Sequence, residues 1–195
     1  HRHRPLSIGW NHHGADIEAS IPSKGIPAGF DSILQGLTGQ TILMVGTVEP
    51  RKGYFQALQA MELLWEEGYA ANLVIVGKSG WMIEELAERL NRHRERDRQL
   101  FWFRGISDEA LLRLYEKSDG VLMASEGEGF GLPLIEAAQR GRPVLARNIP
   151  VFREIGGEHV SYFSGTTAVE LAASLKQWLA NVRQGQAPDT ASMPW

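Results

Sequence analysis

The chain has 195 residues, 43% hydrophobic and 22% charged, a composition that supports one domain with a sizeable core and excludes wholesale disorder. Twenty basic against 23 acidic side chains leave a net charge of -3, so no global field draws nucleic acid, which is not expected as a partner. The absence of cysteine rules out a disulfide framework and thiolate metal sites, and no apolar run nears the roughly 18 to 20 residues that span a bilayer.

The first residues lack the basic-then-apolar pattern of a signal peptide, and a cytoplasmic location is expected. Opening at His1-Arg2-His3-Arg4 and stopping at Pro194-Trp195, the chain reads as a piece excised from a longer protein. Residues 1–39, with scattered glycine and proline, read as a linker or edge segment entering the domain. Within them, His12-His13 is a poor metal site, because adjacent side chains point apart in a strand or helix.

The domain proper is expected over 40–183. An apolar run at 41–46 predicts a first strand, and Phe55, Leu58, Met61, Leu64 and Trp65 share one helical face before Gly68 stops it. A second strand is expected at 72–77, then a helical stripe of Ile83, Leu86 and Leu90. The following run of Arg89, Arg92, Arg94, Arg96 and Arg98 has acids interspersed and reads as a solvated helix end. A strand at 100–104 leads to Ser107, a helix cap with Asp108 and Glu109 in the first turn and Leu111, Leu112, Leu114 and Tyr115 on the apolar face. Further strands are expected at 120–124, 142–146 and 160–163. A last helix carries Ala168, Leu171, Ala172, Leu175, Trp178, Leu179 and Val182, and 184–195 reads as a tail.

The strands are continuous apolar runs without strict alternation, as strands covered on both faces are. Alternating with helices, they specify an α/β fold: a doubly wound, Rossmann-like, mostly parallel six-stranded sheet with helices on both faces. Ligands of such sheets sit beyond the carboxyl ends of the strands. The segments there are 47–53, 78–80, 105–107, 125–131 and 147–150.

Of these, Ser125-Glu126-Gly127-Glu128-Gly129-Phe130-Gly131-Leu132-Pro133-Leu134-Ile135-Glu136 is the most informative. Its glycines let a ligand approach the backbone, and Pro133 suits the first turn of a helix whose preceding amides form an anion site. Glu128 and Glu136 are suited to accepting hydrogen bonds from hydroxyls. In Gly46-Thr47-Val48-Glu49-Pro50-Arg51-Lys52-Gly53, two adjacent cations precede a helix. Turned into the crevice, they supply the fork and the point charge a diphosphate needs; turned outward, they are a solvated helix start. The chain has neither a Gly-x-Gly-x-x-Gly after its first strand nor a Gly-Lys-Ser/Thr phosphate loop, which argues against a dinucleotide oxidoreductase or a nucleotide hydrolase.

Over residues 13–163 the chain resembles the C-terminal, donor-binding domain of group 1 nucleotide-sugar glycosyltransferases, the retaining family 4 enzymes of GT-B architecture. The marker is the pair Glu128 and Glu136 separated by seven residues. Val45-Gly46-Thr47-Val48-Glu49-Pro50-Arg51-Lys52-Gly53, Val76-Gly77-Lys78, Gly105-Ile106-Ser107-Asp108 and Gly141-Arg142-Pro143-Val144 support it. Thr47, Ala124 and Arg147-Asn148 depart from the family pattern, which has arginine, proline and small residues at those places.

The resemblance implies that Arg51, Lys52 and Glu128 are catalytic: the cations bind the donor diphosphate and stabilise the leaving group, and Glu128 lies against the donor sugar. Donor binding would also involve Gly46, Thr47, Lys78, Ile106, Gly129, Phe130, Gly131, Leu132 and Glu136, the last accepting from the ribose. No metal and no cofactor are implied. The partners are a nucleotide sugar and an N-terminal acceptor domain outside this chain, through which peripheral membrane contact remains open. The Glu-Pro-Arg-Lys form of the first loop and the stretch Gly77-Lys78-Ser79-Gly80-Trp81 point to mannose transfer in bacterial surface polysaccharide synthesis. Alternatives are a non-catalytic nucleotide-sugar-binding or assembly module, and a sugar-phosphate epimerase of the same sheet class, for whose tightly bound dinucleotide the sequence has no place.

Overall fold

In the computed structural model, residues 25–194 are described, so the His12-His13 pair and both chain ends lie outside the described residues. The strands are β1 (Gln40–Val45), β2 (Ala71–Val76), β3 (Leu100–Phe103), β4 (Gly120–Met123), β5 (Val144–Arg147) and β6 (Ser161–Phe163). All pair in parallel, in the order β3-β2-β1-β4-β5-β6. The strand order reverses between β1 and β4, which opens the crevice there.

The helices are α1 (Phe30–Gly36), α2 (Tyr54–Glu66), α3 (Glu84–Arg92), α4 (Asp108–Lys117), α5 (Leu132–Gln139), α6 (Pro150–Gly156) and α7 (Ala168–Arg183). Alternate strand residues feed two separate cores. Ile42, Met44, Leu73 and Ile75 pack with α2, α3 and α7, whereas Leu43, Val74, Val121 and Met123 pack with α1, α4, α5 and α6. With both faces covered, the strands show the continuous apolar runs of a two-sided sheet.

Caps set several boundaries. Ser107 accepts from the Ala110 amide at 3.3 Å to open α4, and Thr167 with Glu170 forms a reciprocal capping box at the start of α7. Within the segment expected to enter the domain, residues 30–36 are helical, with Phe30 buried against Phe103. The tail folds back: Thr190 and Met193 are buried, and the Thr190 hydroxyl donates to the Arg142 carbonyl at 3.0 Å. The arginine run is largely neutralised by neighbours, with Arg89 on Glu62, Arg92 on Glu88 and Arg96 on Asp97.

Candidate functional site

The loops after β1 and β4 meet across the switch point. Pro50–Lys52 forms a 3-10 turn ahead of α2, so Arg51 and Lys52 project from the rim of the crevice toward the loop after β4. Gly53 makes that approach feasible: its φ is 72° and a Cβ there would lie 2.3 Å from the Ala124 carbonyl oxygen. The Glu126 amide then donates to the Arg51 carbonyl at 2.8 Å, lacing the two loops together.

The side chains complete the junction. Arg51 Nη1 donates to the Gly127 carbonyl at 2.9 Å and lies 3.9 Å from Glu128 Oε2. Lys52 Nζ pairs with Glu128 Oε1, which also accepts from the Ser125 hydroxyl at 2.8 Å. The Glu128 side chain is only 8% exposed, whereas Arg51 is half exposed. Met44, Lys52, Tyr54, Ala124 and Glu128 therefore enclose a cleft of only about 10 Å³. A larger groove of about 480 Å³ runs along the edge strand β3 beside Ile33, away from these charges.

Glu49 extends the network outward, with one oxygen on Arg51 Nη2 at 2.7 Å and the other accepting from the Trp81 indole at 3.1 Å. Below it, the buried Tyr54 hydroxyl donates to the Gly46 carbonyl at 2.7 Å. Burial, then the charges of Glu128 and Glu49, push the Tyr54 phenol well above its ordinary range, so it remains a donor. Thr47 and Lys78 are exposed, and the Lys78 carbonyl accepts from the Val48 amide at 2.9 Å.

Along the other rim, Gly131 at φ 74° turns the chain into α5, with Pro133 in its first turn. Phe130 and Ile106 rest half-buried on the core, while Gly129 and Leu132 are exposed. Glu136 sits within α5 and accepts from the buried Tyr115 hydroxyl at 2.8 Å. Burial raises the Glu136 pKa, opposed by the Tyr115 bond and by Arg140 and assisted by Asp108. Burial and Glu136 in turn raise the Tyr115 phenol.

The structure thus joins Arg51, Lys52 and Glu128 directly and places Glu136 separately, on the α4–α5 side. Sequence reasoning took Tyr115 for core alone and passed over Tyr54, Glu49 and Ser125 as site residues. The available signal for the tyrosines was chemical: a phenol buried in a core position needs a partner for its hydroxyl. Among the described residues, no group of three His, Asp or Glu side chains is placed to hold a metal ion. Nor is any helix of the described residues long and apolar enough to cross a membrane.

A doubly wound parallel sheet in this strand order, with cations and carboxylates meeting at its switch point, is a Rossmann-like domain with its candidate site where such sheets bind ligands. The family model for "Glycosyl transferases group 1" matches residues 30–189, and the chain belongs to that family. It is 47% identical over 193 residues to the serotype-specific mannosyltransferase WbdA of Escherichia coli, a match covering 98% of this chain and 24% of that protein. The Escherichia coli O-antigen chain mannosyltransferase B is 34% identical over 117 residues, 60% of this chain and 30% of its own length. The chain therefore spans about a quarter of the length of WbdA.

Among solved structures, the C-terminal domain of the group 1 glycosyl transferase LpcC from Francisella tularensis superposes with a TM-score of 0.68. That match covers 91% of this chain and 94% of that one at 20% identity. Anabaena HepE, solved in complex with UDP, gives a TM-score of 0.67 at 18% identity over 85% of this chain and 46% of its own. At these identities the likeness concerns the fold.

Proposed function

We propose that this chain is the donor-binding half of a retaining glycosyltransferase that moves mannose from a nucleoside-diphosphate sugar to an acceptor hydroxyl in surface polysaccharide synthesis. The observation that carries the reading is the convergence of Arg51 and Lys52 on Glu128 across the β1/β4 switch point. The names of WbdA and the O-antigen mannosyltransferase support the sugar and the product class, and the UDP complex of HepE supports the donor class.

In this reading, breaking the bond from the anomeric carbon to the diphosphate leaves negative charge on the departing nucleoside diphosphate. Arg51 and Lys52 stabilise that charge, in the place a divalent metal takes elsewhere, so the chain needs no cofactor. Before donor binds, Lys52 neutralises Glu128; phosphate would replace Glu128 as its partner, freeing the carboxylate for the sugar hydroxyls. The amides of Gly129, Phe130 and Gly131 and the neighbouring Leu132 would border sugar and phosphate. Gly46 and Thr47 would line the diphosphate from the β1 side, with Lys78 approaching the nucleotide. The Glu136 carboxylate would accept from the ribose, and the backbone near Ile106 would border the base.

The acceptor site lies in this reading on an N-terminal domain outside the chain, so residues 40–183 bind donor and catalyse nothing alone. Calorimetry of this chain with GDP and UDP, and transfer assays of the full-length protein with GDP-mannose, test it. We expect heat with a nucleoside diphosphate and transfer only by the full-length protein. Appreciable transfer by this chain alone, or no heat with either nucleotide, would overturn the reading.

A further inference from the structure

Arg147, at the end of β5, is 7% exposed, yet among the described residues no carboxylate lies within ion-pair distance of it. A buried guanidinium carries a large desolvation cost unless every donor is placed. Here Nε donates to the Ala124 carbonyl at 3.0 Å, Nη1 to the Gly165 carbonyl at 3.0 Å, and Nη2 to Gln56 Oε1, with the fork 4.9 Å from the Phe163 ring centre. Burial lowers its pKa, with the charge of Glu126 acting in the opposite direction.

Those partners are the two supports of the site described above. Ala124 is the last residue before the loop that carries Ser125 and Glu128, and its carbonyl is the atom against which Gly53 packs. Gln56 lies in the first turn of α2, directly after Arg51 and Lys52, and its amide is itself anchored on the carbonyls of Gly165 at 3.2 Å and Thr167 at 2.8 Å. One planar fork thus ties the cation-bearing turn and the glutamate-bearing loop to the same strand end. Lysine, with a single ammonium, cannot hold three acceptors in that plane.

We propose that Arg147, acting with Gln56, is a positioning residue that fixes Arg51 and Lys52 relative to Glu128 and so sets the affinity of the site for diphosphate. The inference rests on the donor-site reading above and adds to it a control point that touches neither sugar nor phosphate.

Pyrophosphate and GDP affinities by calorimetry, with thermal melts, test it on wild type, Arg147→Met, Arg147→Lys and Gln56→Leu. Arg147→Met should lose about tenfold in affinity for both probes at a temperature where it is fully folded, a typical effect of disturbing a coupled network. Arg147→Lys should recover only part of the loss. Gln56→Leu, which keeps the guanidinium, should lose about threefold and carries the test should Arg147→Met not fold. A purely structural brace would lower the melting temperature and leave the affinities of the folded variants at the wild-type value; that result overturns the inference alone. A wild-type chain that binds neither probe overturns the donor-site reading with it.

Discussion

The Tyr115 hydroxyl donates to Glu136 at 2.8 Å, joining the buried face of α4 to the carboxylate assigned to the ribose. Burial raises the Glu136 pKa and this bond lowers it, so the folded protein holds the carboxyl protonated at a higher pH than the unfolded chain does. The ionised form therefore costs stability above the raised pKa, and that cost disappears as pH falls below the unfolded value. In the proposed donor-site reading, the ribose hydroxyls donate to the ionised Glu136 carboxylate. GDP affinity should accordingly fall as pH drops through the raised carboxylate pKa, while Glu136→Gln stays flat in that window. Tyr115→Phe removes a lowering influence, so its midpoint should move to higher pH, at a stability cost of about 1 kcal/mol. Calorimetric titrations across the acid range check this; a midpoint that stays put or moves down refutes the coupling. Glu136→Ala should weaken GDP much more than pyrophosphate, and equal losses would remove Glu136 from the ribose.

Lys52 and Glu128 neutralise each other across the switch point, which predicts opposite effects of removing either charge. Lys52→Met should weaken pyrophosphate at least about tenfold, because the point charge facing the anion is gone. Charge reversal at Lys52 should abolish nucleotide binding. Glu128→Gln should tighten pyrophosphate by a few fold, since it frees Lys52 and deletes a like charge beside the anion. In the full-length protein the same change should depress transfer strongly, because the sugar loses its carboxylate. A Glu128→Gln variant that bound pyrophosphate more weakly than wild type would refute the competition.

The six strands were legible because each is buried on both faces and reads as an apolar run; their ends shifted by no more than two residues. The seven-residue α1 and α6 escaped, since neither is long enough to display a helical period, although Pro150 at the start of α6 was a visible signal. Glu128 and Glu136 stood out because glycines and a proline frame them within one continuous stretch. Tyr115 and Arg147 did not, because what gives them meaning is distant in sequence: Glu136 lies 21 residues from Tyr115, and Gln56 lies 91 from Arg147. The pattern marks Tyr115 as apolar and Arg147 as a departure from the family. Only the parallel sheet brings β5 beneath both loops.

Gly53 combines a positive φ with a close backbone approach inside the site. At φ 72° any L side chain is strained by about 1–2 kcal/mol, and here a Cβ would also stand 2.3 Å from Ala124 O, a backbone atom held by Arg147. The chain cannot relieve that overlap by rotating a side chain; the turn of Arg51 and Lys52 must lift away from the loop after β4. Gly53→Ala should therefore destabilise by at least about 2 kcal/mol in urea unfolding and weaken pyrophosphate binding in the molecules that fold. Gly68, also at positive φ but with open space around its Cβ, is the control: Gly68→Ala carries the backbone strain without the clash. It should cost about 1 kcal/mol and leave pyrophosphate affinity unchanged. Equal behaviour of the two variants would show that strain alone, and not the approach of the two loops, makes glycine necessary at position 53.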